Sequence, residues 1–321
     1  MKILFYSKEL SQRKDYFVAR MPEHEVSVAD EDTVIERITD IDVLVTRPGI
    51  EKAISRGALE AAAKLKLWHQ WGAGLEGLDF EYCDRRGIAA CNTPSRGTGN
   101  AEGVTEIAIL HMLLLGRKYA FAQDNMRKGK MFSPSGVSLW RSNVCVVGLG
   151  NLGRTLAERL SAMGALVRGV NRTPLPLEKL EEFGIKEFFL LKDLKKAVAD
   201  CRFVVAALAF SDETKEIFDG PFFAAMAKDS YFINVARGGL VDEAALLREL
   251  DSEHLAGAGL DVFVKEPPES DNPLLTHKNV TLTPHIGGLT LAAQGAIFDF
   301  IHDNITRLAK GEPLLAQRHG A

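Results

Sequence analysis

The stretch Val144-Cys145-Val146-Val147-Gly148-Leu149-Gly150-Asn151-Leu152-Gly153 decides the fold. A β-branched run closes in Gly-x-Gly-x-x-Gly, and a helix-compatible segment, Arg154 to Met163, follows. Gly148 permits a tight turn, Gly150 lets backbone approach a pyrophosphate, and Gly153 lets the helix pack against the strand. The first N–H groups of such a helix face phosphates, where the dipole favours negative charge. A second strand-like run, Ala165 to Val170, ends at Asn171, where a ribose-reading side chain belongs. Strand, turn and helix in this order predict dinucleotide binding rather than an ordinary glycine-rich turn.

Outward from this motif, further strands are expected at Leu166–Val170, Phe203–Ala207, Tyr231–Val235, Gly257–Asp261 and Val280–Leu282. With Val144–Val147 they make six strands joined by helical crossovers, the pattern of a doubly wound sheet. The first hundred residues alternate in the same way: strands at Ile3–Tyr6, Val26–Val28, Val43–Thr46 and Leu67–Trp71, and a helix at Ala53–Lys64. A long apolar-rich helix, Glu102 to Leu115, stops at Gly116 and the basic pair Arg117-Lys118. Thr290 to Lys310 reads as a final helix with no strand after it. At 321 residues the chain is long enough for two domains.

Hydrophobic content of 46% and charged content of 26% fit an ordinary soluble protein, and a net charge of -4 gives no basic footprint for nucleic acid or anionic membrane. Cys83, Cys91, Cys145 and Cys201 are scattered without Cys-x-x-Cys or a paired histidine, so buried free thiols are expected and no metal site. The Met1–Tyr6 run is too short for a signal peptide, and apolar runs such as Phe203–Phe210 fall short of a membrane span. A cytoplasmic enzyme is the simplest expectation.

Three clusters follow strand ends in the second half. In Asn234-Val235-Ala236-Arg237-Gly238-Gly239-Leu240-Val241-Asp242, Arg237 leaves the sheet where ligands bind, and its fork suits a carboxylate. Asp242 is placed to cap a helix from Glu243 to Leu250. In Asp261-Val262-Phe263-Val264-Lys265-Glu266-Pro267, Asp261 ends a strand and Glu266 sits on a stiff loop. In Thr283-Pro284-His285-Ile286-Gly287-Gly288, an imidazole follows a third strand. The set suits carbonyl reduction: His285 donates a proton while Glu266 orients the ring and stabilises its cation.

These residues carry a resemblance to the D-isomer-specific 2-hydroxyacid dehydrogenases. It also takes in Trp71-Gly72-Ala73-Gly74-Leu75-Glu76-Gly77-Leu78-Asp79, then Thr98-Gly99-Asn100-Ala101-Glu102 with Glu106, and runs nearly end to end. The resemblance implies α/β architecture with two doubly wound parallel-sheet domains. A Rossmann cofactor domain, residues 99–289, would be inserted in a flavodoxin-like substrate domain, residues 1–98 plus 290–321, with the active site in the cleft. It implies that Arg237 and the N–H groups of Gly72, Ala73 and Gly74 hold the substrate carboxylate, that Glu266 and His285 form the acid–base pair, and that Asp261 holds the nicotinamide carboxamide. It further implies cofactor contacts at Val104, Gly148, Gly150, Asn151, Leu152, Gly153, Leu208, Ala236, Arg237, His285, Gly287 and Gly288, and a homodimer built on the helix near 102–115.

Two departures stand out. The family's usual aspartate after the second strand is here Asn171, followed by Arg172-Thr173, a neutral and cationic set that favours NADP(H) over NAD(H). Leu208-Ala209-Phe210-Ser211 replaces a proline-containing segment. Trp68, Trp71 and Trp140 read as packing residues and His69 and His111 as core or interface histidines. Arg47, at the end of an N-terminal strand, reads as a surface ion pair ahead of a cleft-lining residue, and Glu102 and Glu106 as solvated or interface carboxylates on one helix face. The expected activity is reduction of a small 2-oxo acid, of the glyoxylate or hydroxypyruvate type, to the (R)-2-hydroxy acid. The formate-oxidising branch pairs its histidine with glutamine, and Glu266 argues against it. A phosphoglycerate dehydrogenase, or a dinucleotide-sensing co-repressor on the same fold, are the alternatives.

Overall fold

The computed structural model describes residues 1–7, 10, 12–30, 32–47 and 54–319. The chain divides into two compact units, one comprising residues up to Gly99 and from Leu291, the other Asn100–Thr290.

The Asn100–Thr290 unit holds seven parallel strands: β6 (Asn143–Val147), β7 (Leu166–Asn171), β8 (Ile185–Leu190), β9 (Phe203–Ala206), β10 (Ser230–Asn234), β11 (Leu255–Leu260) and β12 (Val280–Leu282). Their order, β12-β11-β10-β9-β6-β7-β8, reverses between β9 and β6, the crevice where such sheets bind ligands. The run Val144–Val147 is fully buried because both sheet faces are covered. Val144 and Val146 pack with Met112, Leu156 and Leu160, while Cys145 and Val147 pack on the other side with Phe218, Phe222, Phe223 and Phe232. The sheet has one strand more than the six expected. The added β8 is an edge strand paired with β7, and Lys186 and Glu187 on it are exposed, which hides it from apolar patterning.

The helix after the glycine turn is Asn151–Ala162 rather than 154–163, because it starts directly from Gly150. The long helix runs Asn100–Gly116. Asp242 caps the Glu243–Asp251 helix as expected, its Oδ1 accepting from Ala245 N at 2.9 Å.

In the other unit, β1 (Lys2–Tyr6), β2 (Glu25–Ala29), β3 (Val43–Thr46), β4 (Leu67–Gln70), β5 (Ala89–Asn92) and β13 (Gln317–His319) form one sheet in the order β13-β5-β4-β3-β1-β2. All neighbours are parallel except β13 and β5. The expectation of no strand after the last helix, Leu291–Lys310, is therefore corrected. Asn304 grips the returning chain through Leu315 N (2.8 Å) and Leu315 O (3.0 Å), and Arg318 Nε bonds Asn92 Oδ1 at 2.9 Å. The helix expected over 53–64 is observed at Arg56–Ala61, where Ser55 Oγ caps it by accepting from Ala58 N; Ala53 lies outside the described residues.

All four cysteines are buried free thiols. Trp68 and Trp71 are buried, but Trp140 is corrected as a packing residue: it is 60% exposed, with the Arg141 guanidinium 4.4 Å above its ring. Among the described residues, no helix is long and apolar enough to cross a membrane.

Candidate active site

Gly148 adopts φ +102°, and a Cβ there would meet the Ala207 carbonyl oxygen at 2.6 Å. A Cβ on Gly153 would lie 1.8 Å from Gly148 O, so helix and turn touch backbone to backbone. Gly150, by contrast, has no other atom within 4 Å of its missing Cβ. The N-terminus of the Asn151–Ala162 helix is not capped by a side chain. Open space over uncapped N–H groups fits a pyrophosphate.

Three other strand ends bring the expected chemistry together. His285 Nδ1 lies 2.6 Å from Glu266 Oε2, and Glu266 Oε1 accepts from Phe263 N at 3.0 Å. Burial pushes the Glu266 carboxyl up, but the bond from His285, the charges of His285 and Arg237 and the Phe263 N–H outweigh it. The net pKa is below the ordinary glutamate value. Arg237 thus acts electrostatically on Glu266. Its Nη1 donates to Ala236 O at 2.8 Å, and buried Asn234 braces the turn by donating to Arg237 O (2.9 Å) and accepting from Ala236 N (3.1 Å). Gly238 is required here: a Cβ would stand 1.8 Å from Phe263 C, on the loop that carries Glu266. Phe210, in the segment that departs from the family pattern, packs on Gly239, and Thr214 Oγ1 fixes that segment through Ala209 O and Ser211 N.

The His285 loop hangs on Asp261. This carboxylate is 2% exposed and accepts from Ile286 N and Thr283 Oγ1 on Oδ1, and from Gly287 N on Oδ2. Its visible work is to hold the loop, a role the sequence did not suggest. Thr283 in turn accepts from His111 Nε2 at 3.0 Å, while His111 Nδ1 faces Thr281 Oγ1 at 2.7 Å. His111 is a fully buried core histidine whose pKa burial pushes down to about 4, and it supports the site from behind. Val104 and Gly103 pack on Gly287, and Asn100 packs on Gly288, so the Asn100–Gly116 helix backs the same loop. On that helix Glu106 pairs with Arg159 at 3.5 Å and is solvated, while Glu102 is half-buried.

At the end of β7 the amide of Asn171 is engaged locally. Its Oδ1 accepts from Leu149 N (3.3 Å) and its Nδ2 donates to Thr173 O (3.0 Å) and Thr173 Oγ1 (3.3 Å). Arg172 is 74% exposed and forms an ion pair with Glu213 at 3.1 Å. Leu152 and Leu208 are half-buried, Asn151 is exposed and Ala236 is buried.

In the other unit, Gly72 has φ +121° and its carbonyl accepts from Thr93 N, while Asn92 Nδ2 holds Ala73 O at 2.8 Å. Among the described residues the Ala73 and Gly74 N–H groups donate to nothing. Arg47 is half-buried at the end of β3, and Pro48-Gly49 lie outside the described residues. His69 is buried, as expected.

Residues 109–287 match the family described as D-isomer specific 2-hydroxyacid dehydrogenase, NAD binding domain. The D-3-phosphoglycerate dehydrogenase of Methanocaldococcus jannaschii is 33% identical over 295 residues, 90% of this chain and 54% of that protein. The chain thus spans about half the length of the curated relatives it matches. Two solved structures follow the whole chain. One is an NADPH-dependent glyoxylate/hydroxypyruvate reductase from Sinorhizobium meliloti with NADP and malonate (26% identity, 99% and 97% coverage, TM-score 0.83). The other is an NAD-dependent formate dehydrogenase from Staphylococcus aureus with NAD (25% identity, 98% and 97% coverage, TM-score 0.80). A match over more than half of the chain, carrying the glycine turn and the strand-end residues in order, shows that the chain belongs to the D-isomer specific 2-hydroxyacid dehydrogenase family.

Proposed function

We propose that this chain reduces a small 2-oxo acid of the glyoxylate or hydroxypyruvate type to its (R)-2-hydroxy acid. The observation that carries the reading is the His285–Glu266 pair at 2.6 Å within the field of Arg237. A nicotinamide dinucleotide bound along the glycine turn supplies the hydride; the proton and the charge stabilisation come from the chain. With Nδ1 tied to Glu266, Nε2 is the nitrogen that hands a proton to the substrate oxygen. Glu266 stabilises the imidazolium from which that proton comes, and its presence in place of glutamine speaks against formate oxidation. Arg237 offers the planar fork for the substrate carboxylate. Asp261 keeps one lone pair of Oδ2 for a carboxamide while holding the loop.

NADP(H) is the proposed cofactor, because no carboxylate stands at Asn171 and Arg172 is exposed beside it. The second reading, a 3-phosphoglycerate dehydrogenase, is supported by the names of the curated relatives. Steady-state NADH and NADPH oxidation with glyoxylate, hydroxypyruvate and 3-phosphohydroxypyruvate separates the two. Turnover confined to the phosphorylated acid replaces the first reading by the second, and turnover of none refutes both. A homodimer is proposed on the Asn100–Gly116 helix and the segment after it, where Leu110, Leu113, Tyr119, Phe121, Met126 and Phe132 are exposed.

A further inference from the structure

The turn before β2 carries Glu23 and His24, and the Leu291–Lys310 helix brings His302 to them. His302 Nε2 lies 2.8 Å from Glu23 Oε1, and His24 Nε2 lies 3.5 Å from the same oxygen. One ligand atom from each residue falls within 4.8 Å of the others. The backbone beneath is well fixed. Phe17 of the Lys14–Arg20 helix stacks on Phe298 at 5.8 Å, one helical turn before His302. Arg20 lies 4.9 Å over the Phe298 ring and pairs with Asp299.

His24 is the residue that asks for a ligand. Its side chain is 9% exposed, and Nε2 is buried with no hydrogen-bond partner among the described residues. Native structures rarely leave such an atom unsatisfied unless an ion or water completes it.

We propose that Glu23, His24 and His302 bind a divalent ion of the zinc class, with water completing a tetrahedron. Two imidazole nitrogens and one carboxylate oxygen are the donor set of three-ligand zinc sites, and exclude calcium and magnesium, which prefer oxygen alone. Ligands about 2.0–2.2 Å from zinc stand roughly 3.3–3.6 Å apart in a tetrahedron. The 3.5 Å separation already fits, and the 2.8 Å contact opens by a few tenths as the proton between the pair leaves. The ion would pin the last helix to the turn before β2 and satisfy the orphan nitrogen.

The test uses tag-free, chelator-treated full chain, titrated calorimetrically with Zn²⁺ alone near neutral pH. One equivalent binds saturably, and Co²⁺ in its place gives the visible absorption of a tetrahedral site. His24→Gln and His302→Gln each weaken Zn²⁺ binding by roughly tenfold or more and remove the Co²⁺ band. Because His24 is buried, exposed Glu23→Gln is the control for folding. Without metal its circular dichroism and Tm match the parent, and with metal it loses the parent's Zn²⁺-dependent rise in Tm. Zn²⁺ affinity unchanged in all three variants, or no saturable binding at sub-millimolar Zn²⁺, overturns the proposal.

Discussion

His285 sits at φ +53°, a conformation that a non-glycine residue adopts only when its surroundings impose it. The surroundings are Asp261 O and Thr283 O, which both accept from His285 N, and the Asp261 carboxylate that fixes the next two N–H groups. An imidazole held this firmly is suited to proton transfer. His285→Gln should therefore keep dinucleotide affinity, measured by fluorescence titration, and lose roughly two to four orders of magnitude in kcat. Glu266→Gln should make the protonated ring harder to form, so reduction fails at a lower pH than in the parent; an unchanged pH profile removes Glu266 from the mechanism. The lowered Glu266 pKa has a sign for stability too: its contribution is present above the unfolded value and disappears as pH falls through the folded one. The proposed preference for NADP(H) rests on competition at Arg172. A charge-assisted bond to a 2′-phosphate is worth about 1.5–3 kcal/mol, while the exposed pair with Glu213 is worth at most about 1 kcal/mol. The phosphate should win, and the expected outcome is a preference for NADPH of roughly tenfold in kcat/KM. Glu213→Gln should increase that ratio and Arg172→Ala abolish it; a parent that prefers NADH refutes the assignment. Arg237, Glu266 and His285 were legible because their chemistry is written in residue type and strand-end position. Asn234, Thr283 and His111 were not, because their roles depend on which carbonyl or hydroxyl the folded backbone brings within reach. The local bonds of the Asn171 amide to Leu149 and Thr173 depend on the folded backbone in the same way.

Among the elements, β4 and the last helix are joined by a buried bond whose tautomer is fixed. His69 Nδ1 donates to Gln70 O at 2.9 Å, so Nε2 accepts from Asn304 Nδ2 at 3.0 Å. A proton on Nε2 would set two donors against each other, and the same Asn304 amide holds Leu315 ahead of β13. Burial accordingly pushes the His69 pKa down to about 4. The unfolded chain binds more protons between its ordinary value of 6.5 and about 4, so stability is lost as pH falls through that window. The loss is about 2 kcal/mol between pH 7 and pH 5. Urea unfolding followed by the fluorescence of buried Trp68 and Trp71 should show it, and His69→Gln, which keeps an acceptor for Asn304, should remove this component. A midpoint that is equally pH-sensitive in the variant would show that other groups dominate. The same elements mark the limit of sequence patterning. Strands buried on both faces, such as β6 and β9, announce themselves by unbroken apolar runs. Gln317-Arg318-His319 is joined to its sheet by backbone pairing and an Arg–Asn bond, with no periodicity to read.

For the whole molecule, alternating strands and helices point to parallel sheets with crossover helices, which is why the α/β architecture was legible from patterning although β8 and the antiparallel β13 were not. Long-range coincidences are not: Glu23 and His302 are separated by most of the chain and are brought together by packing such as Phe17 on Phe298 and the Arg20–Asp299 pair. The exposed apolar surface is a further property of the whole. Leu110 and Leu113 lie on the Asn100–Gly116 helix, and Tyr119, Phe121 and Met126 lie on the Tyr119–Arg127 helix that follows directly. Met131 and Phe132 extend the patch beyond it. A lone soluble protein rarely leaves so many large apolar side chains open to water in one segment, whereas a two-fold interface covers the same patch on both copies at once. Light scattering should find the parent at twice the chain mass at assay concentrations. Replacing Leu113 and Phe121 together by glutamate places like charges across the axis and should give particles of a single chain mass, with the circular dichroism of the parent. A parent of single chain mass, or a double variant that stays paired, would show that the patch serves something other than a second copy.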